Sequence, residues 1–336
     1  MKNIFSPSLK PYNTFHIDCR CKELLMVEND QDINEVFRRN IFHQPYLMIG
    51  EGSNMLFTKD FDGTVIKLAT KGIEIINEDD EFVYVRAAGG EDWSDFVRFT
   101  IEHELYGAEN LIGIPGLVGS CPVQNIGAYG SEVKDIIYQV EGYYLPDGEP
   151  FVLYNEECHF AYRDSIFKNE LKDRCWITEV VFKLSKEKHF QLGYKQLADN
   201  LASLGTDLTL EKVAETVLNI RNSKLPDITK VGCAGSFFKN PIVNEAKFAE
   251  LSAKFDQLVH YPAPNGVKLA AGQLIESCGW KDIRRGDVSV YPTQALVIVN
   301  WGNAKGSEVV EYYQDIIQSV QEKYGILIEP EVRIIA

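Results

Sequence analysis

The sequence predicts an α/β (α+β) protein of more than one domain, and three observations carry that expectation. Its 336 residues exceed what one hydrophobic core usually holds, since domains of about 100–200 residues are typical. It is 45% hydrophobic and 25% charged, which supplies packed cores and argues against long disorder. Short apolar runs of strand length alternate along it with segments of helical period.

Residues 31–41 read as a helix with Ile33, Val36 and Phe37 on one face. Tyr46–Ile49 is an apolar strand that stops abruptly at Gly50-Glu51-Gly52-Ser53-Asn54. Met55–Phe57 and 64–68 follow as strands and close a first region near Ala69. Residues 82–85 form a strand that runs into Ala87-Ala88-Gly89-Gly90. Trp93, Phe96, Val97 and Ile101 then mark one side of a helix. Short strands are expected through 140–183, with a turn at Pro146-Asp147-Gly148. Thr209 can cap a helix carrying Leu210, Val213, Ala214, Val217 and Leu218.

Ser223-Lys224-Leu225-Pro226-Asp227 ends that helix and opens a further region. This region holds a helix from Asn244, another near 269–278, and the strand Gln294–Asn300. Val309, Val310, Tyr313, Ile316, Ile317, Val320 and Tyr324 line the last helix, with Ser307 as its expected start cap and Gly325 as its end. Residues 326–335 are expected to close the chain as a strand that returns to the first region. Period-two alternation would put Glu331 and Arg333 on one face of it.

Charge and cysteine usage exclude several functions. Thirty-four Lys and Arg against 49 Asp and Glu leave a net charge of −15. Nucleic-acid binding rests on neutralising phosphates, so this chain lacks the bulk driving force for it. A few cations inside a pocket still admit a small anion. The seven cysteines form no C-x-x-C pair, and no zinc-ligand spacing is present, so no metal is expected. Scattered thiols and a start, MKNIFSPSLK, without a signal-peptide run together suggest the cytoplasm. Residues 111–131 carry no charge, but Gly113, Pro115, Gly116, Gly119, Pro122, Gly127 and Gly130 rule out a membrane helix.

The chemistry-bearing motifs each have two readings. Residues 50–54 are a tight turn or a cradle of N–H groups for phosphate. They are neither a Rossmann fingerprint nor a Walker A loop. Residues 114–130 combine small residues, side-chain amides and Tyr129 without charge. That suits an extended ligand with a diphosphate and a flat ring, the alternative being a structural connection. Arg163, set among Phe160, Tyr162 and Asp164, is a carboxylate clamp or a surface ion-pair partner. Ser236, after Gly232-Cys233-Ala234-Gly235 and before two phenylalanines, is a proton donor or a helix cap. No G-x-S-x-G elbow or nearby His supports a hydrolase triad. Glu331 lies between apolar neighbours, so it is a carboxylate that needs a partner or a residue on a solvated edge strand.

Taken together, these blocks resemble the UDP-N-acetylenolpyruvoylglucosamine reductase family, whose members are also called UDP-N-acetylmuramate dehydrogenases. The resemblance runs over nearly the whole chain. It rests on Asn13-Thr14-Phe15, 50–56, 114–130, 160–167, Lys224-Leu225-Pro226-Asp227, 235–241, 268–272, Gln294-Ala295-Leu296-Val297 and 329–333. Leu192-Gly193-Tyr194-Lys195-Gln196-Leu197 is similar to the insertion of the family's longer subclass, which carries a substrate-binding Tyr.

The resemblance implies a three-domain FAD-binding fold of the vanillyl-alcohol-oxidase-like type with a C-terminal substrate-binding domain. Its parts would be 1–69 with 326–336, 70–222, and 223–325. It implies NADPH as co-substrate and non-covalent FAD. It also implies reduction of UDP-N-acetylenolpyruvoylglucosamine to UDP-N-acetylmuramate, a step of peptidoglycan precursor synthesis. Hydride would reach the vinyl C3 and Ser236 would protonate C2. Arg163 would grip the carboxylate, and Glu331 would have to be protonated to help the same anion. The implied FAD contacts are Gly50, Gly52, Ser53, Asn54, Met55, Gly119, Ser120, Gln124, Asn125, Gly127, Ala128, Tyr129 and Arg333. Tyr194, Lys224, Asn240, Lys281 and Gln294 match substrate-binding positions. A monomer with no nucleic-acid or membrane partner is expected. Two other readings are an FAD oxidase or dehydrogenase of the same fold acting on a small alcohol or hydroxy acid, against which the Ser236 and Glu331 blocks argue, and a flavin-free descendant that only binds UDP-sugars or a partner protein, against which the joint presence of Arg163, Ser236 and Glu331 argues.

Overall fold

Residues 1–336 are described by a computed structural model, the side chains of residues 203, 204, 206 and 282 excepted. The chain divides into two units, one of residues 1–7, 22–51 and 62–223, the other of 8–21, 52–61 and 224–336. Residues 22–51 pack with 62–223, and 52–61 pack with the C-terminal segment. The reason is a ladder: Met55–Phe57 pairs in parallel with Arg333–Ile335, the return of the last strand.

The first unit carries two sheets. One orders Lys2–Phe5, Cys21–Val27, Phe61–Leu68 and Tyr46–Ile49. The other orders Pro150–Tyr154, Ile137–Tyr144, Cys175–Ser185, Phe82–Ala88 and Ile73–Glu78, antiparallel throughout. The helix expected over 31–41 is Asp30–Arg38, because the Asn29 side chain accepts the Asp32 N–H and starts it early. Its Ile33 and Val36 pack with Leu25, Ile66 and Trp176, so one apolar cluster joins both sheets. The helix Trp93–Glu102, capped by Asp92, buries Trp93 and Phe96 against Phe182 of the second sheet. The same core takes Val213, Val217 and Ile220 of the helix Leu210–Lys224.

The second unit has a four-stranded sheet ordered Gly232–Cys233, Gln294–Asn300, Val288–Tyr291 and Arg284–Arg285. A three-stranded one orders Ile242–Val243, Gly266–Leu269 and His260–Ala263. The helix Gly306–Tyr324 buries Val309, Tyr313, Ile316 and Val320 as its period requires, and Gly325 closes it with φ +63°. Its N-cap is Lys305 rather than Ser307: the Glu308 carboxylate accepts the Lys305 N–H at 2.6 Å. The expected strand over 326–335 shrinks to Arg333–Ile335. Pro330 lacks an N–H for a ladder. The segment instead makes two bonds to 237–239, Lys239 N–H to Glu329 O at 3.0 Å and Glu331 N–H to Phe237 O at 2.8 Å.

Candidate active site

In the first unit the uncharged stretch folds against the glycines that end strand Phe82–Ala88. The Gly119 N–H donates to Gly89 O at 2.9 Å, and the Val118 N–H donates to Glu91 O at 2.9 Å. The approach is close because side chains are missing. A Cβ on Gly119 would lie 3.1 Å from the Gly89 Cα, and one on Gly90 would lie 2.5 Å from the Thr70 N. Gly50 comes to the same place, where a Cβ would sit 3.5 Å from Leu117 and 3.7 Å from the Ser120 hydroxyl. Lys67 Nζ pins this loop by donating to Gly50 O at 2.8 Å and to Glu51 at 2.6 Å. The structure thus brings Gly50, Gly119 and Ser120 together. Gly89 and Gly90, which lie outside the expected contacts, join them; their signal in the sequence is a run of small residues directly after a strand.

A second group of the same unit surrounds Arg163. Its Nη2 donates to Gly127 O at 2.7 Å and its Nη1 to Asn125 O at 3.4 Å. Arg163 has φ +56° and Asn125 φ +46°, both in the left-handed region. Asn125 is fully buried. Its Nδ2 donates to Glu132 and to Ala161 O, each at 2.9 Å, and its Oδ1 accepts the Lys134 N–H at 3.1 Å. Gln124, Gly127 and Ala128 are half-buried.

Tyr129 lies against Tyr194, which starts the helix Lys195–Leu201 and is 39% exposed. Arg221, which the sequence reading did not single out, faces the Tyr129 hydroxyl. Burial holds its guanidinium below the usual range, and attraction to Tyr129 offsets part of that shift. Burial likewise raises the Tyr129 hydroxyl.

In the second unit, Asn54 Nδ2 donates to Glu331 O at 3.4 Å, and the Arg333 N–H donates to Asn54 O at 3.0 Å. The bond from the Glu331 N–H to Phe237 O sets Glu331 beside the segment that carries Ser236. Ser236 is exposed and Glu331 half-buried. Gly235, at φ +69°, allows the chain to turn just before the serine. The unit therefore gathers Asn54, Met55, Ser236, Glu331 and Arg333, with Ser53 next to Asn54 in the chain.

Lys224 and Gln294 are neighbours, since Thr293 Oγ1 donates to Lys224 O at 2.8 Å. Gln294 Oε1 would lie 3.3 Å from a Cβ on Gly272, and Asn240 Oδ1 accepts the N–H of the adjoining Ala271 at 3.0 Å. Lys281 is exposed and pairs with Glu276 at 2.7 Å. Among the described residues, no group of three His, Cys, Asp or Glu could hold a metal ion, and no helix is long and apolar enough to cross a membrane.

Residues 22–153 match the family described as FAD binding domain. Residues 227–335 match the family described as UDP-N-acetylenolpyruvoylglucosamine reductase, C-terminal domain. The solved structure of the UDP-N-acetylenolpyruvylglucosamine reductase from Thermus caldophilus shares the fold. It has a TM-score of 0.69 and 24% identity, and the match covers 100% of this chain and 98% of that one. Fold and matched domains define an oxidoreductase with an α/β FAD-binding fold and a C-terminal domain.

The curated relatives narrow the class. The chain is 44% identical to the UDP-N-acetylenolpyruvoylglucosamine reductase of Flavobacterium johnsoniae over 331 residues, 98% of each chain. It is also 44% identical to that of Chromobacterium violaceum over 327 residues, 96% of each. It belongs to the UDP-N-acetylenolpyruvoylglucosamine reductase family.

Proposed function

We propose that the chain reduces UDP-N-acetylenolpyruvoylglucosamine to UDP-N-acetylmuramate, with FAD as non-covalent cofactor and NADPH as co-substrate. The observation that carries this reading is the bond from the Glu331 N–H to Phe237 O, which joins the Ser236 and Glu331 segments in one unit. FAD fits the residues of the first unit. The N–H groups of Gly50 and Glu51 donate to no acceptor among the described residues, and Gly50 lies beside the uncharged Leu117 and Ser120. Adjacent N–H groups in such a turn suit a diphosphate.

Bound FAD supplies hydride for the vinyl C3 of the substrate. The protein then has to hold an anion and deliver a proton. Negative charge grows at C2 and spreads into the carboxylate, so groups oriented in advance lower the barrier most. Arg163, aimed by the Gly127 carbonyl, grips that carboxylate. A protonated Glu331 adds a hydrogen bond to the same anion. The exposed Ser236 hydroxyl donates its proton to C2; a hydroxyl is a weak acid, but the developing carbanion is a strong base. Tyr194, Lys224, Asn240, Lys281 and Gln294 hold the UDP-sugar, the lysines meeting its diphosphate.

The test is the absorption spectrum of the purified protein under anaerobic conditions. A yellow protein bleached by NADPH and recoloured by the enolpyruvyl UDP-sugar is expected. A colourless protein that cannot take up FAD overturns the reading.

A further inference from the structure

The Arg163 turn is stitched to the loop that precedes Tyr129 by four hydrogen bonds. Two come from Arg163 itself, to Gly127 O and Asn125 O. A third runs from the buried Ser165 Oγ to Val123 O at 2.6 Å. The fourth is Asn125 Nδ2 to Ala161 O, and Ala161 is bridged to Asp164 across the turn. Asn125 takes part in two of the four, once by its side chain and once by its carbonyl.

The hydrogen-bonding of Asn125 is turned inward. Its N–H donates to Pro122 O at 3.1 Å, and both Nδ2 protons and Oδ1 have protein partners. With none of its surface exposed, it has no face to offer a cofactor. A primary amide is the group this place demands. Two donors meet a carboxylate and a carbonyl while one acceptor meets an N–H, and Asn also tolerates the left-handed backbone.

We propose that Asn125 is a positioning residue for Arg163 rather than a contact of the flavin. Its amide fixes the Ala161–Asp164 turn, and its carbonyl helps that of Gly127 to aim the guanidinium. The inference rests on the reading of Arg163 as the carboxylate clamp. Clamping geometry matters steeply, since a misplacement of about 1 Å can cost on the order of 100-fold in rate.

The decisive variant is Asn125→Asp. Asp keeps the shape, the left-handed backbone and the acceptor for Lys134. It turns an oxygen toward Glu132 and Ala161 O, where donors are needed. Asn125→Asp with Glu132→Gln restores one donor across that contact and relieves the charge repulsion, so it serves if the single variant folds poorly. Three readouts apply: FAD affinity, the two half-reactions by stopped-flow absorbance, and the guanidinium NMR signal of Arg163, assigned by its loss in Arg163→Lys.

Both variants should bind FAD and accept electrons from NADPH within a few-fold of the wild type. Reoxidation by the enolpyruvyl sugar should slow on the order of 100-fold in the single variant. It should recover only in part in the double variant, because Ala161 O still lacks its donor. The Arg163 signal, hindered in rotation in the wild type, should broaden or collapse in both. Weakened FAD binding with an intact Arg163 signal, or an unchanged reoxidation rate, overturns the proposal. A wild-type protein that the enolpyruvyl sugar does not reoxidise refutes the functional reading instead. The NMR signal still decides in that case whether Asn125 holds Arg163.

Discussion

Tyr129 and Tyr194 meet edge to face, their ring centroids 5.2 Å apart and their planes at 84°. One buried amide holds the segments that carry them. Asn110 Nδ2 donates to Tyr129 O at 3.0 Å and to Gln191 O at 2.8 Å, and so ties the uncharged loop to the segment that leads into Tyr194. Asn110→Ala leaves both carbonyls without a donor, at a cost of about 1–3 kcal/mol in stability. With the Tyr194 segment loosened, the KM for the UDP-sugar should rise about tenfold, equivalent to roughly 1.4 kcal/mol. Flavin reduction by NADPH should change little. Steady-state kinetics beside urea denaturation separate the two effects, and an unchanged KM in a destabilised variant would limit Asn110 to a structural role.

Ser236→Ala removes one hydroxyl from an exposed position and disturbs no packing. Stopped-flow absorbance should show near-normal flavin reduction by NADPH and almost no reoxidation by the enolpyruvyl sugar. General acid groups contribute typically 10²–10⁴-fold, so a loss of roughly that size is expected in the second half-reaction. Normal reoxidation would remove Ser236 from the proton-donor role.

Arg163→Ala should slow the second half-reaction far more than the first if Arg163 is the proposed clamp, because only the enolpyruvyl substrate presents a carboxylate for it. Arg163→Lys keeps the charge but loses the planar fork that reaches Gly127 O and a carboxylate at once, so it should restore only a small part of the rate. Equal losses in both half-reactions, measured side by side, would argue against a clamp.

Much of this was readable along the chain, for a physical reason. The glycine loops, Ser236 between small and bulky residues, and Glu331 among apolar neighbours announce themselves in their own few residues. The last helix was equally plain, since Val309 to Tyr324 keep one period and Gly325 ends it. The sites of Asn110 and Asn125 were not visible as supports. Their partners lie 19, 81 and 36 residues away, and an amide looks the same in sequence whether it meets a ligand or a carbonyl. Arg221 hid for the same reason, as a polar residue on a helix end that only folding brings to Tyr129. The overlong final strand failed at Pro330, where apolar alternation continued but the backbone donor did not.

Gly52 is a glycine of the second unit whose replacement should be poorly tolerated. It has φ +65°, and a Cβ there would lie 2.2 Å from Tyr12 O and 2.6 Å from the Asn13 Cα, both backbone atoms that cannot swing away. Its carbonyl also accepts the Thr14 N–H at 3.2 Å, so the loop cannot shift without losing that bond. Gly52→Ala should cost about 2–4 kcal/mol from backbone strain and overpacking together. Chemical denaturation gives the figure, and a loss below half a kcal/mol would mean that the Tyr12–Asn13 segment yields.

Burial of Glu109 should make the fold's stability depend on pH. Burial pushes its carboxyl above the ordinary 4.5, while the Gly107 N–H, donating at 2.7 Å, offsets only part of that. The unfolded chain therefore releases this proton near 4.5 and the folded chain only at higher pH. Between those two values the folded state holds the extra proton, so this group's contribution to stability declines as pH rises through the window. Above the window the full cost of a buried carboxylate remains. Glu109→Gln keeps an acceptor for the Gly107 N–H and cannot ionise. Its melting temperature should match the wild type below pH 4.5 and exceed it increasingly as the pH is raised, the gap levelling off once the wild-type carboxyl has ionised. Scanning calorimetry of both proteins across that range is the check. A gap that stays constant or closes with rising pH would place the titration elsewhere.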